Sequence, residues 1–431
     1  MKKLMIILFG LLSGIPMFAQ NNENKDNELS IGAQVRTRAE YRDGVLSPHA
    51  AGADPAGFIN DRARLSLDYK RDKLSLGFSV QQVGVWGQDP QIAKSGRTML
   101  NEYWANLNMG DGFFLKLGRQ ALIYDDERIL GGLDWNVAGR YHDALKLAYE
   151  NPMNKLHAVF AFNQNDELVS GNFYNVMNPG PGYKTMQMLW YQHIGSKMFN
   201  LSLLFMNLGL ETGTSPVSNV KYLQTLGTDL SYQPGNFQLF GTFYYQTGKS
   251  TATSVPKDVS AWMWALNASY LINPALKLLA ASDYLSGDDG KDTSKFNAFN
   301  PLFGTHHKFY GTMDYFYASN FLPGLNPGLW DKQLGISYKT SPKVTLALNY
   351  HHFSTTTDVY VKEVKQTRAL GSEWDLQLTW NVMKDVGFTG GYSTFFGNDA
   401  LKAVKGGDPS KSQNWVWVSL NINPKVLVTK W

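Results

Sequence analysis

Apolar and polar residues alternate with period two through about eighteen short stretches of this 431-residue chain, separated in turn by tight turns and longer loops. In the first stretch Ile31, Ala33, Val35, Ala39 and Tyr41 fall on one face and Gln34, Arg36, Arg38, Glu40 and Arg42 on the other, because successive side chains of a strand point to opposite faces. The second sets Ile59, Ala63, Leu65, Leu67 and Tyr69 against Asn60, Arg62, Arg64, Ser66 and Asp68. A late one sets Trp374, Leu376, Leu378 and Trp380 against Glu373, Asp375, Gln377 and Thr379. A single stretch of this kind also fits the half-buried strand of a soluble sandwich. Their number, with the aromatic Trp431 at the C-terminus, points to a closed sheet with lipid on one face and water on the other.

The first residues carry Lys2 and Lys3, an apolar run from Leu4 to Leu12, and Ala19 as a small residue for a signal peptidase. We read residues 1–19 as a cleaved export signal and 20–431 as one domain, since no linker or shift in composition divides the remainder. No run reaches the ~20 apolar residues of a spanning helix, so a membrane position requires a barrel. With no cysteine, disulfides, thiolate metal sites and a lipidated cysteine drop out. A formal charge of +4 is too small to argue for nucleic acid, so electrostatic function depends on where charges stand.

Tight turns recur at 70–73, 110–112, 151–154, 195–198, 233–236, 272–275, 341–343 and 383–385. Longer connections lie near 43–57, 87–98, 125–140, 166–182, 212–219, 248–257, 286–328, 355–366 and 398–411. Eight short turns and nine long loops give an all-β, antiparallel transmembrane β-barrel of about eighteen strands, with short turns in the periplasm and long loops outside. Tyr41, Trp86, Tyr124, Tyr149, Trp190, Tyr245, Trp262 and Trp380 near strand ends fit the aromatic girdles of such barrels.

Arg36, Arg38, Arg62 and Arg64 should then project from adjacent strands into the lumen, with Glu40 and Asp68 on the same faces. Clustered guanidinium groups attract anions and grip carboxylates with two hydrogen bonds. Equally, they can brace the wall by pairing with lumenal acids such as Glu102, Asp229, Glu373 and Asp375. In the stretch from Gly118 to Asp143, Arg119, Arg128 and Arg140 interleave with Asp125, Asp126, Glu127, Asp134 and Asp143. That balance suggests an internally salt-bridged constriction loop. The 286–328 connection is too aromatic for an unstructured loop and should pack as a plug, a lid or rim strands. His306–His307 and His351–His352 are adjacent pairs, which face opposite ways on a strand and make no chelate alone; we expect no metal and no cofactor.

Three blocks, GRQALIYDDERILGGLDWNVAGRYHDALKL, FNPLFGTHHKFYGTMDYF and LGSEWDLQLTWNVMKDVGFTGGYSTFF, resemble those of the alginate-export family of outer-membrane proteins, in the versions found in Bacteroidetes. The resemblance implies an eighteen-stranded monomeric barrel whose electropositive, loop-narrowed lumen passes a polyuronate. Arg119, Asp126, Arg128, Asp134, Trp135, Arg140 and Asp143 stand at its motif positions. Asp125 stands where a glycine is commoner and His142 where an aromatic is commoner.

The function these readings predict is an outer-membrane channel for passive passage of anionic solutes, an alginate-like oligo- or polysaccharide above all, with membrane lipid as its other partner. A general or nutrient-uptake porin is the nearest alternative. An enzyme would need a nucleophile with a base in reach, and neither a GxSxG elbow nor a compact constellation stands in the sequence; an adhesin would act through its long loops.

Overall fold

The computed structural model describes residues 27–431 except 51, 90, 93–97, 168, 172–173, 175–181, 197, 213–218, 252–255 and 318–319; the expected signal over residues 1–19 lies outside the described residues. The wall runs β1 (Asn27–Asp43), β2 (Ala56–Arg71), β3 (Leu74–Val85), β4 (Thr98–Gly110), β5 (Phe113–Gln120), β6 (His142–Glu150), β7 (Asn154–Phe162), β8 (Thr185–Ser196) and β9 (Phe199–Thr212). It continues through β10 (Asn219–Tyr232), β11 (Phe237–Ser250), β12 (Lys257–Asn273), β13 (Leu276–Leu285), β14 (Leu329–Ser341), β15 (Val344–Ser354), β16 (Ala369–Met383), β17 (Val386–Gly397) and β18, in two segments, Asn414–Ile422 and Lys425–Lys430. Each strand pairs antiparallel with the next, and both segments of β18 pair with β1. The sheet is therefore a closed barrel of eighteen strands. All eight expected tight turns join consecutive strands on one end, and the long loops lie at the other.

Closure is completed at the short-turn end, where Asn27 and Trp431 exchange backbone hydrogen bonds of 3.1 Å in both directions. Pro424 has no N–H for the ladder, and the break in β18 falls at Asn423–Pro424; Ala33 N donates to Pro424 O at 3.0 Å instead. The turn after β4 has positive φ at Gly110, Asp111 and Gly112, and at Gly112 a side chain would strike the Glu150 carbonyl.

Outward residues follow the alternation: Val35, Tyr41, Leu65, Trp374, Leu376 and Trp380 are all exposed. Tyr41, Trp86, Tyr245, Trp262 and Trp380 are exposed as girdle residues should be, and Tyr149, half-buried, packs on outward Phe113. Tyr124 and Trp190 depart from that expectation. Both are buried inside, 5.1 Å apart between ring centroids, because the lumen is not uniformly aqueous. Along β7, β8, β9 and β12 the inward residues Val159, Met186, Met188, Leu204, Met206, Leu208 and Met263 are fully buried, forming an apolar core with two loops folded in from the long-loop end. A loop in a lumen must bury apolar surface of its own, and these strands supply its partner.

Candidate functional site

The two inward loops are loop A (residues 121–141) and loop B (286–328). Loop A leans on a wall of basic side chains from β1 and β2. Arg36 Nη1 and Arg62 Nη2 each take one oxygen of Asp134, at 3.0 and 2.8 Å, and also donate to the carbonyls of Asn136 and Val137. Arg38 Nε is 2.7 Å from Glu40, its Nη1 donates to the Trp135 carbonyl at 2.7 Å, and its guanidinium lies 3.9 Å over the Trp135 ring. Among the described residues Arg64 hydrogen-bonds to neutral partners, the Gln81 amide oxygen and the Tyr141 hydroxyl, while Gln81 Nε2 donates to Ala138 O. Asp125 has a left-handed φ of 52°, a conformation that Asp tolerates and glycine adopts without steric cost.

Loop A is fixed on its other side by buried ion pairs. Arg128 Nε meets Asp126 at 2.6 Å and its Nη groups grip both oxygens of Asp283 of β13 at 2.9 and 3.0 Å. Burial alone would push this guanidinium down, but Asp283 and then Asp126 outweigh burial and raise it well above its ordinary value. Asp125 accepts from Trp190 Nε1, Ser202 Oγ and Tyr244; burial still pushes its carboxyl up. Glu127 accepts from Gly132 N and Thr305 Oγ1, with Lys308 3.4 Å away, and Arg140 donates to Gly304 O. Loop A and loop B are thus one body, with Trp135 stacked flat on His307 at 4.0 Å.

Loop B is held from below by acids of β16. Glu373 accepts from Met313 N at 2.8 Å, Asp375 from Thr312 Oγ1, and His307 sits 2.9 Å from Asp314. His351 bonds Asp331 and approaches Asp375, whereas His352 faces outward. Among the described residues no group of three His, Asp or Glu could hold a metal ion.

Two sequence expectations are corrected. Arg119 and Asp143 are not lumenal: they form a cross-strand pair at 2.9 Å with side chains 35% and 46% exposed, on the outward parity of Leu117 and Leu145. The signal is present in the sequence as residue parity, since Arg119 and Asp143 alternate in step with the outward Leu117 and Leu145. The bracing acids are also different ones. Asp229, Glu373 and Asp375 anchor other groups, and Glu102 lines a recess, while the wall arginines pair with Asp134 and Glu40.

That recess, of about 420 Å³, lies on the short-turn side of loop A, between Gln34, Arg62, Arg64, Asp68, Glu102 and Lys116. Lys116, missed in the sequence, makes no ion pair among the described residues; its ammonium lies 3.7 Å over the Trp104 ring, which itself covers Gly77. Lys146 stands directly opposite Lys116 on β6. Like charges facing each other across strands are unfavourable, and the recess itself sets Arg62, Arg64 and Lys116 beside Asp68, Glu102 and Asp134.

The sequence model of the alginate export family matches residues 186–415, more than half of the chain. The chain belongs to the alginate export family. No curated protein matches it. Among solved structures, this alginate export family member is similar to the outer membrane protein opdK from Pseudomonas aeruginosa, with 12% identity over 94% of this chain and 99% of that one and a TM-score of 0.61. Acinetobacter baumannii OccAB2 gives 11% identity, coverage of 93% and 98%, and a TM-score of 0.62. Pseudomonas aeruginosa OccK5 gives 12%, 93%, 99% and 0.58. At these identities the likeness shows the barrel fold. Family and fold together make this a channel-type barrel of the bacterial outer membrane.

Proposed function

We propose that this alginate export family member passes anionic solutes by passive diffusion, anionic oligo- or polysaccharides in particular, as a monomer delivered to the outer membrane by the signal at residues 1–19. The reading rests on one observation: the β1–β5 wall beside the recess carries Arg36, Arg62, Arg64 and Lys116, while Asp134 is the one carboxylate ion-paired to them among the described residues. An anion entering would take up guanidinium donors that now hold shared or neutral acceptors, then move on between weak sites without a covalent step. Arg128 and Arg140 serve by holding the loops that narrow the passage.

A second reading, uptake of a small anionic nutrient, is favoured by the size of the recess, which is at the small-ligand end of the usual 300–1,000 Å³. Both are tested in planar bilayers under a salt gradient. The expected result is an anion-selective reversal potential that falls toward zero in Arg64→Gln/Lys116→Gln, with block by oligouronates deepening with chain length. Block by monosaccharide acids alone selects the nutrient reading, and cation selectivity in the wild type overturns both.

A further inference from the structure

On the outward face of the barrel, remote from the lumen, a lysine and a histidine sit in one register row. Lys332 of β14 is paired in register with His352 of β15, and His352 with Ser372 of β16. All three share the outward parity of Trp330, Leu334 and Trp374, which are exposed. Lys332 Nζ donates to Ser354 Oγ at 3.1 Å and lies 3.9 Å over the Trp330 ring; His352 Nδ1 is 3.4 Å from Ser372 Oγ. Neither side chain has a carboxylate partner among the described residues, because the neighbouring acids Asp331 and Glu373 point inward and are buried.

The next rows toward the short turns are apolar: Leu334, Tyr350 and Trp374 align, followed by Ile336, Leu348 and Leu376. Between them lies a shallow apolar notch of about 370 Å³ lined by Leu334, Ile336, Leu348, Tyr350 and Trp374, with Gly335 at its floor. At about 3.4 Å per residue Lys332 and His352 stand roughly 7 Å above the first apolar row. The short turns of such barrels are periplasmic, so this row is at headgroup level in the outer leaflet and the notch at acyl-chain depth.

We infer that this face binds one phosphorylated lipid of the outer leaflet, its phosphate on Lys332 and His352 and an acyl chain in the notch below. The Lys332 ammonium supplies the charge that selects an anionic headgroup and the His352 ring a hydrogen-bonding group beside it, and the notch requires the phosphate to come with a chain. The site is independent of which solute passes through the lumen.

The test uses the folded full barrel in phosphatidylethanolamine nanodiscs carrying a few per cent of lipid A, with tightly retained lipid counted by native mass spectrometry after detergent extraction. One lipid A per barrel is expected in the wild type, at least fivefold less in Lys332→Gln/His352→Gln, and none with dephosphorylated lipid A. Equal retention by wild type and double variant overturns the site. Equal binding of the dephosphorylated lipid, or displacement by millimolar inorganic phosphate, overturns the phosphorylated-lipid assignment. Both single variants are measured alongside, so a misfolded double variant leaves the comparison standing.

Discussion

Arg36 and Arg62 are directly opposed in register across β1 and β2, and each holds a different oxygen of the same carboxylate, Asp134. Two like charges at a paired position repel, and the shared acid from loop A resolves that repulsion while docking the loop. Asp134 itself is 73% exposed, so its contribution is discounted for solvent screening. Asp134→Asn should cost about 1 kcal/mol of loop docking and raise anion selectivity, since both guanidinium groups then face the solute unneutralised. A reversal potential unchanged from wild type, or shifted toward cations, counts against the basic wall as the selecting element.

Arg128 is the more consequential anchor, because its partners Asp126 and Asp283 are about as buried as it is. Arg128→Met leaves two buried carboxylates facing each other, a change that costs about 3–5 kcal/mol when one partner of a buried pair is removed. Because the ladder of eighteen strands is not touched, the loss should appear in loop A: protease cleavage within 121–141 and noisy, larger single-channel conductance, with heat-modifiable migration of the barrel kept. Arg128→Lys, which keeps charge but not the two-oxygen grip on Asp283, should fall between.

The barrel was legible because lipid imposes one rule on every outward position; hence β1, β2 and β16 read correctly residue by residue. Strands β8 and β9 were harder. Met186, Met188 and Trp190 face inward while Leu189 faces out, so both faces are apolar and the alternation vanishes. Their inward side chains answer to loop A, a contact between residues more than forty positions apart, which no local period carries. The same holds for the site. Charge in 118–143 announced a packed loop, but whether Asp134 or Glu373 would meet Arg36 depended on where the loop lands, and Arg119 shows that motif membership does not tell lumen from lipid.

Acidification should loosen loop B through His306. This ring is buried, and its Nε2–H donates to the Pro301 carbonyl at 3.1 Å, with Tyr317 edge-on at 5.1 Å and no partner for Nδ1 among the described residues. Burial, aided by the charges of Arg140 and Arg128, brings its pKa from 6.5 to about 4. The released loop therefore binds a proton below about pH 6.5 that the docked loop refuses until about pH 4. Docking is at full strength above 6.5 and weakens as pH falls through that window, by an amount on the order of 3 kcal/mol at 1.36 kcal/mol per unit. Amide exchange over residues 301–309, compared at pH 7 and 5, should accelerate in the wild type after correction for intrinsic rates and stay level in His306→Gln. Equal acceleration in both assigns the effect to another group.

Trp135 joins everything that narrows the passage. Its ring is stacked on His307 of loop B, carries the Arg38 guanidinium on a face, and meets the edges of Trp415 and Trp417 of β18 at 5.6 and 4.8 Å. Removing it withdraws one aromatic stack and one cation–π contact, worth about 0.5–1.5 kcal/mol each, along with burial of a large ring between two loops and the wall. Trp135→Ala should lower docking by about 3 kcal/mol, free both loops together, and widen the conducting path, giving higher conductance with weaker selectivity. Trp135→Phe keeps the stack at reduced area and should recover most of the wild-type conductance. If alanine changes protease access of loop A without changing that of loop B, the two loops are not the single body that the His307 contact makes of them.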